Sequence, residues 1–254
     1  MLLAIDIGNT NITLGLFEDS ILRMTGRIAT DPTKTSDQYA IEIKDIITLH
    51  GENVADIEDC IICSVAPVVG SSVSGAVALL CHTVPLMLGP GVKTGLNIKI
   101  DNPAQLGADL AAGAVGALAE YTMPCIVIDM GTATTLSVLD RNGSFLGGAI
   151  AAGMKLTLNA LAEGTAALPA LSVGVPKTII GHNTADCMQS GIVYGTAAML
   201  DGMIDRIEEE LGEPATVVAT GGLAREVITY CKRDIIYNEN LLLDGLRHIY
   251  EKNN

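Results

Sequence analysis

Apolar and polar positions along the chain switch between two periods. Residues 2–7 form a short apolar run that ends in Gly8 and Asn9. Residues 11–18 alternate and lead through Asp19-Ser20 into a further run at 21–28. Runs of this length bounded by turn residues predict a meander of strands. Thr35-Ser-Asp-Gln38 has the form of a capping box, with Ile43, Ile46 and Ile47 on one helical face and Gly51 as the stop. A strand at 61–65, a helix around 73–80 and an Ala/Gly-rich helix at 109–121 follow. The small side chains of that last helix leave room for another backbone to approach. A second round opens after Pro124, with strands at 125–129, 134–139 and 144–150, the last two joined by the turn Asp140-Arg-Asn-Gly143. Asn183 opens a long helix that stops before Gly212-Glu-Pro214, with Leu200, Met203, Ile204, Ile207 and Leu211 at helical spacing. A short strand at 216–219 closes in Thr220-Gly-Gly222, and 244–251 reads as a terminal helix. Strands alternating with helices in two rounds define an α/β fold. We divide it into residues 1–117 and 118–254.

The two rounds share a motif. Leu3-Ala-Ile-Asp-Ile-Gly-Asn-Thr10 resembles Ile126-Val-Ile-Asp-Met-Gly-Thr-Ala-Thr134. Each is an apolar strand, an Asp, one apolar residue, a Gly and a hydroxyl-rich turn into a second strand. One Asp-x-Gly is a common strand end; two at matching places form a repeat. Glycine lets a turn's backbone approach a ligand closely. Amide N–H groups and the side chains of Asn9, Thr10, Thr132 and Thr134 can donate to phosphate oxygens. Asp6 and Asp129 could cap turns, but beside such donors a carboxylate can also hold a metal ion or its water. Two such loops together would clamp a nucleotide triphosphate. The strand ending in Gly221-Gly222 suits close approach of an adenosine.

Composition narrows the classes. With 49% hydrophobic and 17% charged residues the chain is not of the disordered type. At 254 residues, area scaling gives burial of roughly 70% of the unfolded surface, enough for a full core. Mean hydropathy is high at +0.41, but the longest uncharged stretch, residues 60–92, is broken by Pro67, Gly70, Pro85, Gly89 and Pro90. No membrane span is expected there. The N-terminus lacks a basic segment and meets an acid at Asp6, so it does not read as a signal peptide. A net charge of −14 argues against nucleic acid or an anionic membrane as partner. Six cysteines are present, and only Cys60 and Cys63 are close in sequence; on a strand, residues three apart face opposite sides, so they read as core cysteines of a reducing cytoplasm.

The duplicated Asp-x-Gly turns with a late Gly-Gly strand resemble the acetate kinase, sugar kinase, Hsp70 and actin superfamily. That likeness implies duplicated actin-like, ribonuclease H-like domains with mixed sheets flanked by helices. Asp6-Ile-Gly-Asn-Thr-Asn11, Thr94-Gly-Leu-Asn97, Asp101-Asn-Pro103, Gly107-Ala-Asp109, Asp129-Met-Gly-Thr-Ala-Thr-Thr135, Gly147-Gly-Ala-Ile150, Leu168-Pro169, Gly181-His-Asn-Thr184 and Met188-Gln-Ser-Gly191 together resemble the type III pantothenate kinases. The resemblance implies ATP-dependent phosphorylation of pantothenate, the first step of coenzyme A synthesis, by a homodimer using Mg²⁺ and a monovalent cation (K⁺ or NH₄⁺). By position it implies that Asp6, Ile7, Gly8, Asn9, Thr10, Asn11, Ile12 and Thr13 form the first phosphate loop. Asp109 would be the general base, with Gly107, Ala108 and Leu110 beside it at the substrate. Asp129 would hold the monovalent cation, Asp6 would serve Mg²⁺, Thr132 would contact ATP, and Thr184 would contact substrate across the dimer. Bland roles stand beside these: Asp109 also suits a first-turn helix acid, and Thr184 a helix-start residue.

The chain departs from the family pattern on the acceptor side. The family usually has Gly-x-Asp-Arg and then an Asn three residues on; here Leu110 and Gly113 stand there, and Ile100 replaces a tyrosine before Asp101. The departures point to an alternative, a nucleotide-binding paralogue with altered or lost acceptor specificity. The dimer would bury the helix from Asp109 and the helix after Asn183, where Met188, Ile192 and Met199 are apolar.

Overall fold

The computed structural model of the protein describes all 254 residues. It divides into two compact units, Met1–Leu96 with Asp101–Ala119 and Asn240–Asn254, and Asn97–Ile100 with Glu120–Glu239. The sequence division at 117/118 places residues 240–254 with the second round, whereas the chain returns there to the first unit.

The first unit holds a five-stranded sheet of β1 (Leu2–Ile7), β2 (Asn11–Glu18), β3 (Ile21–Ala29), β4 (Asp59–Ser64) and β5 (Leu86–Met87), ordered β3-β2-β1-β4-β5. The first three strands are antiparallel neighbours; β4 runs parallel to β1 and β5 parallel to β4. Strand alternation sorts the side chains. Leu3, Ile5, Ile7, Cys60 and Ile62 face a core shared with α1 (Ser36–Leu49) and α2 (Pro67–Cys81). Ala4, Phe17, Ile61 and Cys63 face the other way, toward Ala112 and Val115 of α3 (Ala108–Glu120). Helix α1 starts as its sequence dictates: the Thr35 hydroxyl accepts from the Gln38 N–H and the Gln38 side chain accepts from the Thr35 N–H.

The second unit repeats the plan. Strands β6 (Asn97–Ile98), β7 (Cys125–Met130), β8 (Ala133–Leu139), β9 (Ser144–Ala152), β10 (Thr216–Thr220) and β11 (Ile236–Tyr237) lie in the order β11-β10-β7-β8-β9-β6. Taking β7 as the counterpart of β1, the order and the strand directions match those of the first sheet, with β6 added at the β9 edge. The register shifts match as well. One falls at Leu16/Phe17, the other at Val138/Leu139, each beginning three residues beyond the partner of the motif aspartate. Helices α4 (Met154–Gly164), α5 (Thr184–Leu211) and α6 (Ala224–Ile228) contribute Met154, Leu158, Met188, Ile192, Leu200, Ile204 and Val227 to its core.

The last helix, α7 (Leu241–Glu251), packs on the first sheet through Leu243, Leu246 and Ile249. It crosses α3 at glycines on both sides. A Cβ on Gly116 would strike the Leu241 carbonyl, and one on Gly245 the Ala112 carbonyl. The small-residue face of α3 is therefore taken up by α7 of the same chain, and Ala111 to Ala117 are all buried. The expectation that this face packs against a second subunit is corrected accordingly. No helix is long and apolar enough to cross a membrane.

Candidate active site

The first loop is a hairpin between Ile7 and Ile12, which pair across β1 and β2. The Gly8 N–H donates to the Asn11 carbonyl at 2.9 Å, and a Cβ on Gly8 would sit 3.1 Å from that oxygen. Asn9, Thr10 and Asn11 are exposed at its tip, while Ile7 and Ile12 are fully buried in the core. Ile7 and Ile12 therefore anchor the loop and can offer a ligand only main-chain groups. Thr30, just past β3, clamps the loop: its N–H donates to the Thr10 carbonyl at 3.0 Å and its hydroxyl to the Gly8 carbonyl at 2.8 Å. Asp6 sits in register with Thr13 on one side and Cys63 on the other, so the three side chains form a row on the α3 face of the sheet.

The second loop is built alike. Met130 pairs with Thr134, the Gly131 N–H donates to the Ala133 carbonyl at 3.0 Å, and the Gly153 N–H donates to the Thr132 carbonyl at 3.1 Å. Thr132 is exposed. Asp129 is flanked in register by Thr135 and Thr220, the counterparts of Thr13 and Cys63. The Thr135 hydroxyl is buried and has no hydrogen-bond partner. Such an atom costs about 1–3 kcal/mol unless something satisfies it. Gly221 has φ +95°, and a Cβ there would press on the Asp129 carboxylate and the Met130 backbone. Its glycine is thus demanded by the packing of β10 on β7, whereas Gly222 opens onto free space. Gly153 also heads α4, so a helix N-terminus, with its positive dipole end, abuts this loop.

Asp109 lies in the first turn of α3, whose first bond runs from the Ala111 N–H to the Gly107 carbonyl at 3.0 Å. Its Oδ1 accepts the Leu110 N–H at 2.9 Å. Gly107, Ala108 and Leu110 are half-buried around it, and Ala108 packs on the same face as Cys63. Burial first, then the negative charges of Asp6 and Asp109, push the Cys63 thiol well above its usual range, so it keeps its proton. Both carboxylates therefore lie within electrostatic reach of one buried sulfur.

The remaining candidates are more scattered. Asn183 caps α5, its Oδ1 accepting the Asp186 N–H at 2.9 Å, and leaves Thr184 exposed as the first helical residue. Ile100 is half-buried in the second unit beside Gly147. Met188 and Ile192 face inward, each only 7% exposed, so they belong to the core rather than to an outer surface. The outer face of α5 carries Cys187, Gly191, Gly195 and Ala198 instead. All six cysteines are free, and Cys60 and Cys63 face opposite sides of β4 as the strand period requires. Nowhere do three or more His, Cys, Asp or Glu converge in a metal-holding group.

Four features escape sequence reading: Thr30, Thr135, the contact of Cys63 with the acids, and helix α4. Thr30 and Thr135 are lone hydroxyls. The Leu158/Leu161 spacing after Gly153 is a signal for α4.

Among solved structures, component A of the (R)-2-hydroxyglutaryl-CoA dehydratase of Acidaminococcus fermentans matches with TM-score 0.59 at 16% identity, covering 98% of this chain and 96% of that one. The activator of the 2-hydroxyisocaproyl-CoA dehydratase from Clostridium difficile, solved with ADPNP, matches at 0.54 and 14%, covering 98% and 93%. The fold is that of the actin-like ATPases and sugar kinases. The profile of the type III pantothenate kinases matches residues 2–206. A protein of that name from Exiguobacterium sibiricum is 42% identical over 253 residues, covering 100% of both chains. One from Halalkalibacterium halodurans is 40% identical over 253 residues, again with 100% of each covered. The chain belongs to the type III pantothenate kinase family, and so to the phosphotransferases.

Proposed function

We propose that the chain transfers the γ-phosphoryl group of ATP to the primary alcohol of pantothenate, giving 4′-phosphopantothenate for coenzyme A synthesis. The observation that carries this reading is the position of Asp109 in a chain matched end to end by relatives of that name. Asp109 stands on the same face of the first sheet as Asp6, in the first turn of a helix whose first bond runs from the Ala111 N–H to the Gly107 carbonyl.

Phosphoryl transfer needs positioning and charge stabilisation more than covalent chemistry. Residues 6–13 hold phosphate oxygens through the Gly8 turn and the Asn9, Thr10 and Asn11 tip; on the second loop the exposed Thr132 hydroxyl is the group for ATP. Asp109 accepts the proton of the attacking alcohol. Oδ1 already takes the Leu110 N–H, so Oδ2 is the oxygen we assign to that proton. Mg²⁺ prefers octahedral oxygen ligands and retains water, with one or two carboxylates and the substrate phosphates completing its shell. With Asp109 assigned to the proton, Asp6 on the same face suits such a role. The ion, when bound, neutralises charge on the phosphates. The orphaned Thr135 hydroxyl beside Asp129 fits an oxygen-liganded monovalent cation, K⁺ or NH₄⁺.

The protein acts as a homodimer in this reading, through the outer face of α5, which places Thr184 at the neighbouring subunit's substrate. Free cysteines suit a reducing cytoplasm. Nucleic acid and membranes are not partners of so acidic a chain. A second reading, altered acceptor choice, is favoured by Leu110, an apolar residue next to the base where the family resemblance expects an arginine. An ADP-release assay with and without pantothenate tests both. Pantothenate-dependent release supports the first; ATP binding without it supports the second.

A further inference from the structure

We infer that Cys63 is a positioning residue for phosphoryl transfer, a buried S–H donor that orients the Asp6 carboxylate on the α3 face of the first sheet. This rests on the kinase reading above and deepens it.

Cys63 and Asp6 are register partners on adjacent parallel strands, so their side chains leave the sheet on the same face. That face is covered by α3, whose Ala112 and Val115 pack with Cys63, and whose first turn carries Asp109. Cys63 is completely buried, so its thiol has no water to bond. Its register position beside Asp6 makes that carboxylate the acceptor we assign to it. Its neighbour Ser64 turns away and spends its hydroxyl on the Ala66 carbonyl at 3.0 Å.

A carboxylate at a strand end has two χ angles to settle. On one flank Asp6 has Thr13, on the other Cys63. A donor on the parallel strand selects one rotamer and keeps it while the nucleotide and acceptor come and go. In the second unit a hydroxyl residue, Thr220, occupies the matching register position beside Asp129. The Cys63 thiol touches no reacting atom itself.

Valine fills the volume of cysteine without a donor, alanine leaves a small cavity, and serine keeps the donor. We expect Cys63→Val to lower kcat on the order of tenfold while both KM values stay within about twofold, Cys63→Ala to fall as far, and Cys63→Ser to stay within roughly threefold of wild type. A second readout needs no turnover: the infrared S–H stretch of Cys63, isolated as wild type minus Cys63→Ser, should shift to higher frequency in Asp6→Ala. Full kcat in a folded Cys63→Val, loss in Cys63→Ser equal to that in Cys63→Val, or an unmoved S–H band would overturn the inference. Should the wild type release no ADP in response to pantothenate, the function reading falls, and the S–H band alone decides the role of Cys63.

Discussion

Thr30 closes the first loop by donating its main-chain N–H to the Thr10 carbonyl at 3.0 Å, and its hydroxyl adds a bond to Gly8 at 2.8 Å. The second loop has the main-chain half of this clamp, from Gly153 to Thr132, without the hydroxyl half. The first loop thus depends on a side chain where the second depends on a helix start. Thr30→Val keeps the shape and removes the hydroxyl. Loss of one such bond costs about 1 kcal/mol, so the KM for ATP should rise roughly fivefold with the KM for pantothenate unchanged. Equal rises in both would show that Thr30 serves general stability instead.

Gly195 lies on the outer face of α5 with nothing within 4 Å of the place a Cβ would take. Gly195→Leu should therefore leave the fold intact and gain up to about 1 kcal/mol of helix propensity. If copies pair through this face, the substitution blocks them. Light scattering should show a dimer for wild type and a monomer for the variant, with an unfolding midpoint no lower than wild type. A variant that remains dimeric removes α5 from the interface.

Leu110 and Ile100 should limit the grip on the acceptor. Leu110→Arg, alone and with Ile100→Tyr, should lower the KM for pantothenate about tenfold or more, the gain of a charged hydrogen bond, and leave that for ATP unchanged. Wild-type affinity for pantothenate already in the micromolar range, or no gain on substitution, would contradict this account of the departures.

Asp140 is held below the usual carboxylate range by the Lys99 ammonium, at 2.7 Å, and by the N–H groups of Ser144 and Asn142. Its folded-state pKa is the lower one, so its contribution is present above the ordinary carboxylate range and lost as pH falls through the folded value. Asp140→Asn should destabilise the protein by about 1 kcal/mol at neutral pH and shrink that difference in acid. Thermal unfolding of both proteins across acidic to neutral pH reads this directly; a constant difference would exclude it.

What the sequence shows depends on how local the cause is. The Thr35 capping box, the Asn183 cap and the Asp-x-Gly strand ends are each settled within a few residues, and the structure places them as read. Strands β5, β6 and β11 have two residues each, too few for any period to show. Helix α7 follows β11 in sequence, and its amphipathic pattern says that one face is buried without saying by which sheet. Its placement on the first unit depends on Gly116 and Gly245, distant in sequence and meaningful only as a pair. The face of α3 was legible as one that admits another backbone, but not as one filled from within the chain. In the candidate site the motif residues were legible. Their supports were not: Thr30 and Cys63 act on residues far away in sequence, and the buried, partnerless state of the Thr135 hydroxyl exists only in the folded sheet.

The central claim, that Asp109 takes the proton of a pantothenate alcohol attacking ATP, is tested most directly by the turnover of Asp109→Asn. Asparagine keeps the size of the side chain and an oxygen for the Leu110 N–H but cannot accept the proton. Formation of 4′-phosphopantothenate from ATP and pantothenate should be robust in wild type. In Asp109→Asn, kcat should fall by roughly 10²- to 10⁴-fold with the KM for ATP little changed. Undiminished turnover in a folded Asp109→Asn, or no phosphopantothenate from the wild type, would contradict the account.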